Sequence, residues 1–345
     1  MAEKRYRTVL LAVSIVLLMT FGVFSGCRKE ESAEFTGFSM DTVISVKLYG
    51  GNSPDSVLQD VSGIFTETEQ VLSRHIESSP VSALNRGETV AGEKWFITLL
   101  SKNLYLSEET DGLFDPTVGP LIDLWSIGSG NEKVPSEEAL ADALSHVSYE
   151  RVHVSSENIT IEPGTVLDLG ASGKGAVLDR VRDFLCGTDT KGAVVSAGGS
   201  ILLYGSKNGS RDFTVAVRLP DGGTSDYLGV LTLQETCVST SGSYERYFTE
   251  DGVRYHHILS PESGFPAETG LVSVTVVYPD GTMSDLLSTA VFLLGEEEGL
   301  KLLYGHQAEG VLVTEDGRVI VTEGLKDRFR LTEEGYTLEV YEGIR

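Results

Sequence analysis

Short apolar or alternating runs recur along the chain: TVISVKLYG (42–50), VHV (152–154), NITIEP (158–163), AVVSA (193–197), ILLYG (201–205), FTVAVRL (213–219), LGVLTL (228–233), VRYHHIL (253–259), LVSVTVVY (271–278), GVLVT (310–314) and RVIVT (318–322). Runs of this length, rich in β-branched residues, predict β-strands. Asn208-Gly209, Asp251-Gly252 and Asp316-Gly317 are turn dipeptides of the hairpin type. Apolar spacing of three and four predicts helices near 55–73, 93–110, 136–147, 174–186 and 284–304. Helices clustered among hairpin-joined strands imply an α+β fold of antiparallel sheets, not a doubly wound parallel sheet. With no repeat and no Pro/Ser linker beyond RKEESAE (28–34), the expected organisation is one catalytic unit of two lobes over 35–345.

The first residues break the pattern. Lys4, Arg5 and Arg7 precede an uncharged apolar run that ends at small residues before Cys27. That arrangement is expected to be an export signal over 1–26, and Ser25-Gly26-Cys27 is similar to a lipobox, so Cys27 is expected to be lipidated and followed by a short tether over 27–34. The other reading is an uncleaved membrane anchor; either places the remaining chain on the extracytoplasmic face of a cell membrane. Without residues 1–26 the 27 Lys+Arg lose Lys4, Arg5 and Arg7 and the 51 Asp+Glu lose Glu3, which leaves 24 against 50 and a formal charge of −26. Such acidity argues against a nucleic-acid partner and favours divalent cations near any carboxylate cluster. Cys186 and Cys237 are the only other cysteines, enough for one disulfide or for two buried free thiols.

Five stretches carry candidate chemistry. In VLDLGASGKGAVLDRV (166–181) a strand-like run meets a glycine-broken turn and a helical pattern, with Asp168 and Lys174 about the turn. Backbone N–H groups at a helix start, aided by a lysine, suit phosphate, although the spacing is not that of a Walker loop and a plain connector is the alternative. In MSDLLSTAVFLLG (283–295) Ser284 resembles a cap, and Asp285 and Thr289, four apart, share a helix face. A carboxylate and a hydroxyl so placed suit Mg²⁺; otherwise they serve the helix dipole and local backbone. Asp115 and Thr117 flank Pro116 in a stiff turn expected to present both polar side chains. Ala197-Gly198-Gly199 ends a strand where backbone can approach a ligand closely. His256 and His257 would face opposite sides of a strand, one of them available as a general base and the other removable with mild effect.

The motifs MDT (40–42), FDPTVGPL, LDLGASGKGAVLD, SAGGS, TSGSYER, HHILSPESGFP and SDLLSTAVFLLG stand in one order, and together the region 35–321 resembles the ApbE family of FAD:protein FMN transferases. The resemblance implies an ApbE-like, T-fold-like architecture that holds FAD in a cleft between lobes. It also implies Mg²⁺ at the pyrophosphate and transfer of the FMN half to a Ser or Thr hydroxyl of a partner protein, with release of AMP. By position, Met40, His75, Asp115, Pro116, Thr117, Asp168, Lys174, Ala197, Gly198, Gly199 and the Ile258 backbone would contact FAD. Asp285, Thr289, Ser288 and the Ala171 carbonyl would surround the metal, and His257 would be the base. His75 replaces a more usual aromatic residue, Ser288 a carboxylate found in some members, Ser196 an Asn, Ser200 an acid or amide, and Ser260 an Asp. Implied partners are exported flavin-carrying subunits of membrane redox complexes and, through Cys27, the lipid bilayer. Hydrolysis of FAD to FMN and AMP, and non-catalytic flavin binding, stay open beside transfer.

Overall fold

The computed structural model describes residues 32–223 and 225–343. The export segment and Cys27 lie outside the described residues. Seventeen strands and seven α-helices follow one another in these residues. Nine strands form one sheet in the order β1 (Ser32–Ser39), β2 (Thr42–Tyr49), β6 (Gly192–Ala197), β7 (Ser200–Gly205), β10 (Thr236–Gly242), β13 (Leu271–Tyr278), β14 (Glu309–Thr314), β15 (Arg318–Thr322) and β17 (Thr337–Tyr341). All neighbours run antiparallel except β15 and β17. Ser32, Ala33 and Glu34, expected in the tether, instead pair in β1 with Tyr49, Leu48 and Lys47.

Period-two alternation gives this sheet two buried faces. Ala193, Val195 and Leu202 point to a core shared with α1 (Pro54–Leu72) and α6 (Gly173–Leu185). Val274, Val276 and Leu312 point to a core under α7 (Gly281–His306), which is interrupted at Gly295, φ 80°. Leu203, Val238, Val311 and Val313 face the opposite way, onto a three-stranded sheet of β16 (Phe329–Leu331), β9 (Tyr227–Leu233) and β8 (Phe213–Arg218). A smaller group lies against α6. It comprises α2 (Pro80–Asn85), α3 (Lys94–Glu109) and a sheet of β3 (Val90–Ala91), β5 (Asn158–Ile161) and β4 (Val152–Val154), and Phe96, Leu100 and Ile159 share its core with Ala176. Trp125 at the end of α4 (Gly119–Trp125) and Leu140 of α5 (Glu137–Leu144) form a fifth core with Leu259, against which Phe248 of β11 (Tyr247–Glu250) and Tyr255 of β12 (Val253–His256) pack.

Several expectations are corrected. Asn208-Gly209 is a left-handed turn closed by reciprocal bonds between Lys207 and Ser210, as expected of a hairpin turn, but the longer strands it joins, β7 and β8, lie in different sheets. Ser284 does not cap α7; Asp280 does, accepting the Met283 N–H at 2.8 Å, while Ser284, inside the helix, donates from Oγ to the Val276 carbonyl of β13. Cys186 is exposed, Cys237 is buried and both are free, so there is neither a disulfide nor a pair of buried thiols. Burial pushes the Cys237 thiol up to about 12.

Candidate functional site

Glycine sets the geometry where α6 meets α7. A Cβ on Gly175 would lie 2.1 Å from the Gly281 carbonyl oxygen, so only glycine lets the two helix starts come this close. Asp179, one turn on, fixes the contact by accepting the N–H groups of Gly281 at 2.7 Å and Thr282 at 2.8 Å and the Thr282 hydroxyl at 2.7 Å. Burial pushes the Asp179 carboxyl up, with Asp280 adding to the effect and these bonds opposing it.

Asp285 is thereby delivered, 3% exposed, to the turn at the head of α6. Its Oδ2 accepts the Gly175 N–H at 2.9 Å, its Oδ1 accepts the Ser200 hydroxyl at 3.0 Å, and Lys174 Nζ stands 3.7 Å from Oδ1. Lys174 Nζ also donates to the Gly170 carbonyl at 3.1 Å. One turn further along α7, Ser288 Oγ lies 2.8 Å and Thr289 Oγ1 3.1 Å from Ser241 Oγ of β10. Ser288 also donates to the Asp285 carbonyl at 2.8 Å. Asp285, Ser288, Thr289 and the nearby turn carbonyl of Ala171 offer hard oxygens only, the donor chemistry of Mg²⁺. Among the described residues no group of three or more His, Cys, Asp or Glu converges on a metal position, so such an ion would keep waters or take ligand oxygens to complete its shell.

Around this cluster the other candidates fall into two sets. Met40 occupies the β1–β2 turn, where its Cε would be 3.3 Å from a Cβ on Gly173 at the head of α6. Asp168 N–H donates to the Pro116 carbonyl at 2.8 Å, its Oδ1 accepts Gly170 N–H at 2.8 Å, and Arg74 Nη1 reaches its Oδ2 at 3.3 Å. Gly198 (φ 59°) and Gly199 turn from β6 into β7 beside Ala197 and Ser200; a Cβ on either would meet Thr42 Oγ1 at 2.6 Å or the Thr240 carbonyl at 2.8 Å. These backbones are therefore pressed against β2 and β10.

The second set is arranged differently. Asp115 and Thr117 point inward: Asp115 accepts the Thr117 N–H and hydroxyl at 2.7 and 2.6 Å and the Tyr149 N–H at 2.7 Å, and Thr117 Oγ1 accepts Ser148 N–H at 2.8 Å. Burial pushes Asp115 up against those bonds. The expectation of two outward polar side chains is thus corrected, since both are spent on bonds within the protein. Ile258 is buried as well; its N–H donates to His256 Nδ1 at 3.3 Å and its carbonyl accepts Ala267 N–H at 3.0 Å. Its backbone is already engaged within the protein. His75 is exposed, its N–H bonded to Ser73 Oγ at 3.2 Å.

The two histidines divide their roles through their hydrogen bonds. His256 is 8% exposed, packs edge-on against Phe292 and, by accepting at Nδ1, carries its proton on Nε2, which faces the Ala267 carbonyl at 3.1 Å. His257, just past β12, is exposed, and its Nδ1 faces the Arg246 carbonyl at 3.2 Å. A carbonyl only accepts, so Nδ1 holds the proton and Nε2 keeps a free lone pair. Crowding by surrounding protein pushes this imidazole down to about 4, aided by the charges of Arg246 and Lys174; its solvent-facing side screens part of that effect. Sequence reasoning marks Ser200 only as a departure from the family pattern, and Ser241 and Arg246 only as members of the TSGSYER motif; it does not single out Arg74, since no local pattern marks it and its partner Asp168 lies 94 residues away.

The ApbE family model matches residues 40–312. An FAD:protein FMN transferase of Treponema pallidum (strain Nichols) is 31% identical over 352 residues, which is 95% of this chain and 97% of the relative. One of the same name from Klebsiella pneumoniae (strain 342) is 30% identical over 309 residues, 88% of this chain and 95% of the relative. Among solved structures, the ApbE protein from Thermotoga maritima matches with a TM-score of 0.80 and 32% identity, over 87% of this chain and 100% of that one.

Proposed function

This chain belongs to the ApbE family, and on that premise we propose that it transfers the FMN half of FAD to a Ser or Thr hydroxyl of an exported acceptor protein, with Mg²⁺ bound and AMP released. The observation that carries the reading is the meeting of Asp285, Lys174 and the head of α6 in one cluster, with a histidine elsewhere in the unit whose Nε2 is free. In the reaction the acceptor oxygen bonds to the FMN-side phosphorus, the bond from that phosphorus to the bridging oxygen breaks, and AMP departs with that oxygen. His257 Nε2 takes the hydroxyl proton. The Lys174 ammonium would face the phosphoryl oxygens on which negative charge builds. Asp285, Thr289, Ser288 and the Ala171 carbonyl would hold Mg²⁺, which would add further neutralisation of that charge.

Incubation with FAD, Mg²⁺ and a candidate acceptor should raise the acceptor's intact mass by one FMN moiety and release AMP. Free FMN and AMP with an unchanged acceptor would make the protein a hydrolase, and neither product would leave only flavin binding. We place this activity at the extracytoplasmic face of a cell membrane, tethered through a lipidated Cys27, on the strength of the charged start, the apolar run and the Gly26-Cys27 junction. Cys27→Ala should then lose membrane association; normal processing and retention by the membrane would remove that part of the reading.

A further inference from the structure

The β1–β2 hairpin turns through two consecutive non-glycine residues in the left-handed region, Met40 at φ 55° and Asp41 at φ 57°. L-residues disfavour this conformation, so the surrounding contacts must hold it. Glu69 of α1 grips one side, accepting the Met40 N–H at 3.1 Å and the Ser39 hydroxyl at 2.8 Å. Arg246, in the loop between β10 and β11, grips the other by donating from Nη2 to the Asp41 carbonyl at 3.1 Å. The same Arg246 offers its own carbonyl to both the N–H of His257, at 3.0 Å, and the ring Nδ1, at 3.2 Å.

We propose that Arg246 is a positioning residue that ties the base to the nucleotide seat: its guanidinium holds the strained Met40–Asp41 turn beside the head of α6, and its carbonyl sets the orientation and tautomer of His257. The proposal rests on the flavin-transfer reading above. If the guanidinium lets go, the turn and the loop bearing His257 lose their common anchor, and the separation between base and substrate is no longer set. Small losses of register of this kind cost much rate and little folding, because Arg246 is exposed.

The charge of Arg246 supplies a readout that a merely structural link would not move. The imidazole of His257 lies within the electrostatic reach of the Arg246 guanidinium, the His256 ring and the Lys174 ammonium, each of which opposes its protonation when charged, on top of crowding by the protein. Removing the guanidinium therefore raises the pH at which His257 titrates, and a lysine at the same position does not. The full chain carrying Arg246→Met or Arg246→Lys should be compared with wild type by NMR titration of His257 without FAD, by fluorescence titration of FAD binding, and by rates of acceptor flavinylation. Arg246→Met is expected to raise the His257 titration midpoint and to lower kcat roughly tenfold to a hundredfold. Arg246→Lys is expected to keep the wild-type midpoint while recovering only part of the rate, since an ammonium lacks the planar fork. An unmoved midpoint in Arg246→Met, or a kcat within about twofold of wild type where wild type transfers flavin, overturns the proposal. Should wild type itself transfer no flavin, the transfer reading fails alone, and the titration together with weakened FAD binding in Arg246→Met decides the role of Arg246.

Discussion

Asp285→Asn is expected to slow flavin transfer by about a hundredfold or more and to flatten its dependence on Mg²⁺. The carboxylate is the one charged oxygen donor in the cluster on α7, and it is buried with Lys174 at 3.7 Å and two donors, Gly175 N–H and Ser200 Oγ, aimed at it. An amide matches its size and retains one acceptor, but turns an NH₂ toward one of those donors and leaves the ammonium of Lys174 without its counter-charge. Some loss of stability follows, about 1–3 kcal/mol for a buried donor left without an acceptor, so the unfolding midpoint has to be measured beside the rate. Initial rates across a Mg²⁺ titration, with enough FAD to saturate, separate the two effects. A variant that folds, turns over at the wild-type rate and responds to Mg²⁺ unchanged would refute the metal assignment.

Replacement of His257 by Gln should leave FAD affinity nearly as it was and reduce transfer by roughly 10² to 10⁴, the usual range for losing a general base. The side chain is exposed and held by a single backbone carbonyl, so its removal disturbs little else. Its lowered pKa keeps the ring unprotonated at neutral pH in the free enzyme, and the base form is lost as pH falls through the lowered value. A bound pyrophosphate is anionic and stabilises the imidazolium, so the acid limb of kcat should lie at higher pH than that of kcat/KM. Equal rates for His257→Gln and wild type would dispose of the base assignment. His256→Ala is the contrasting case, expected to be mild for transfer but not for folding. That ring is buried between the Ala267 carbonyl, the Ile258 N–H and Phe292, and its loss should lower the unfolding midpoint with kcat little changed. Both histidines are held below the ordinary value, so the unfolded chain binds more protons than the fold between 6.5 and the folded values. Their contribution to stability is complete above 6.5 and is lost as pH falls below it.

Local pattern made the larger elements legible. The helix expected near 55–73 is Pro54–Leu72, that near 93–110 is Lys94–Glu109, and LVSVTVVY is the strand Leu271–Tyr278. The failures have physical causes. TCVSTSG is too rich in hydroxyls to read as a strand, yet it is β10, central in the nine-stranded sheet, where Thr240 finds Thr275 at 2.9 Å and Ser241 finds Ser288 at 2.8 Å. Asp-Pro-Thr was legible as a stiff turn but not as an inward one, because what turns it inward is Tyr149 and Ser148, more than thirty residues away.

Sequence alone determined most of the strands, the longer helices, the glycine turn before α6, the hard-oxygen character of Asp285 and Thr289, and, through seven motifs in order, the likeness to the ApbE family; each is carried by residues within a few positions of one another. Tertiary structure decided which of those residues act together. Asp285 meets Gly175 across 110 residues of chain, Arg246 meets Asp41 across 205, and of two adjacent histidines one is taken by the core and the other left with a free Nε2. Such pairings depend on how sheet and helices pack. That packing is a property of the whole buried surface, to which each short segment contributes only its own face.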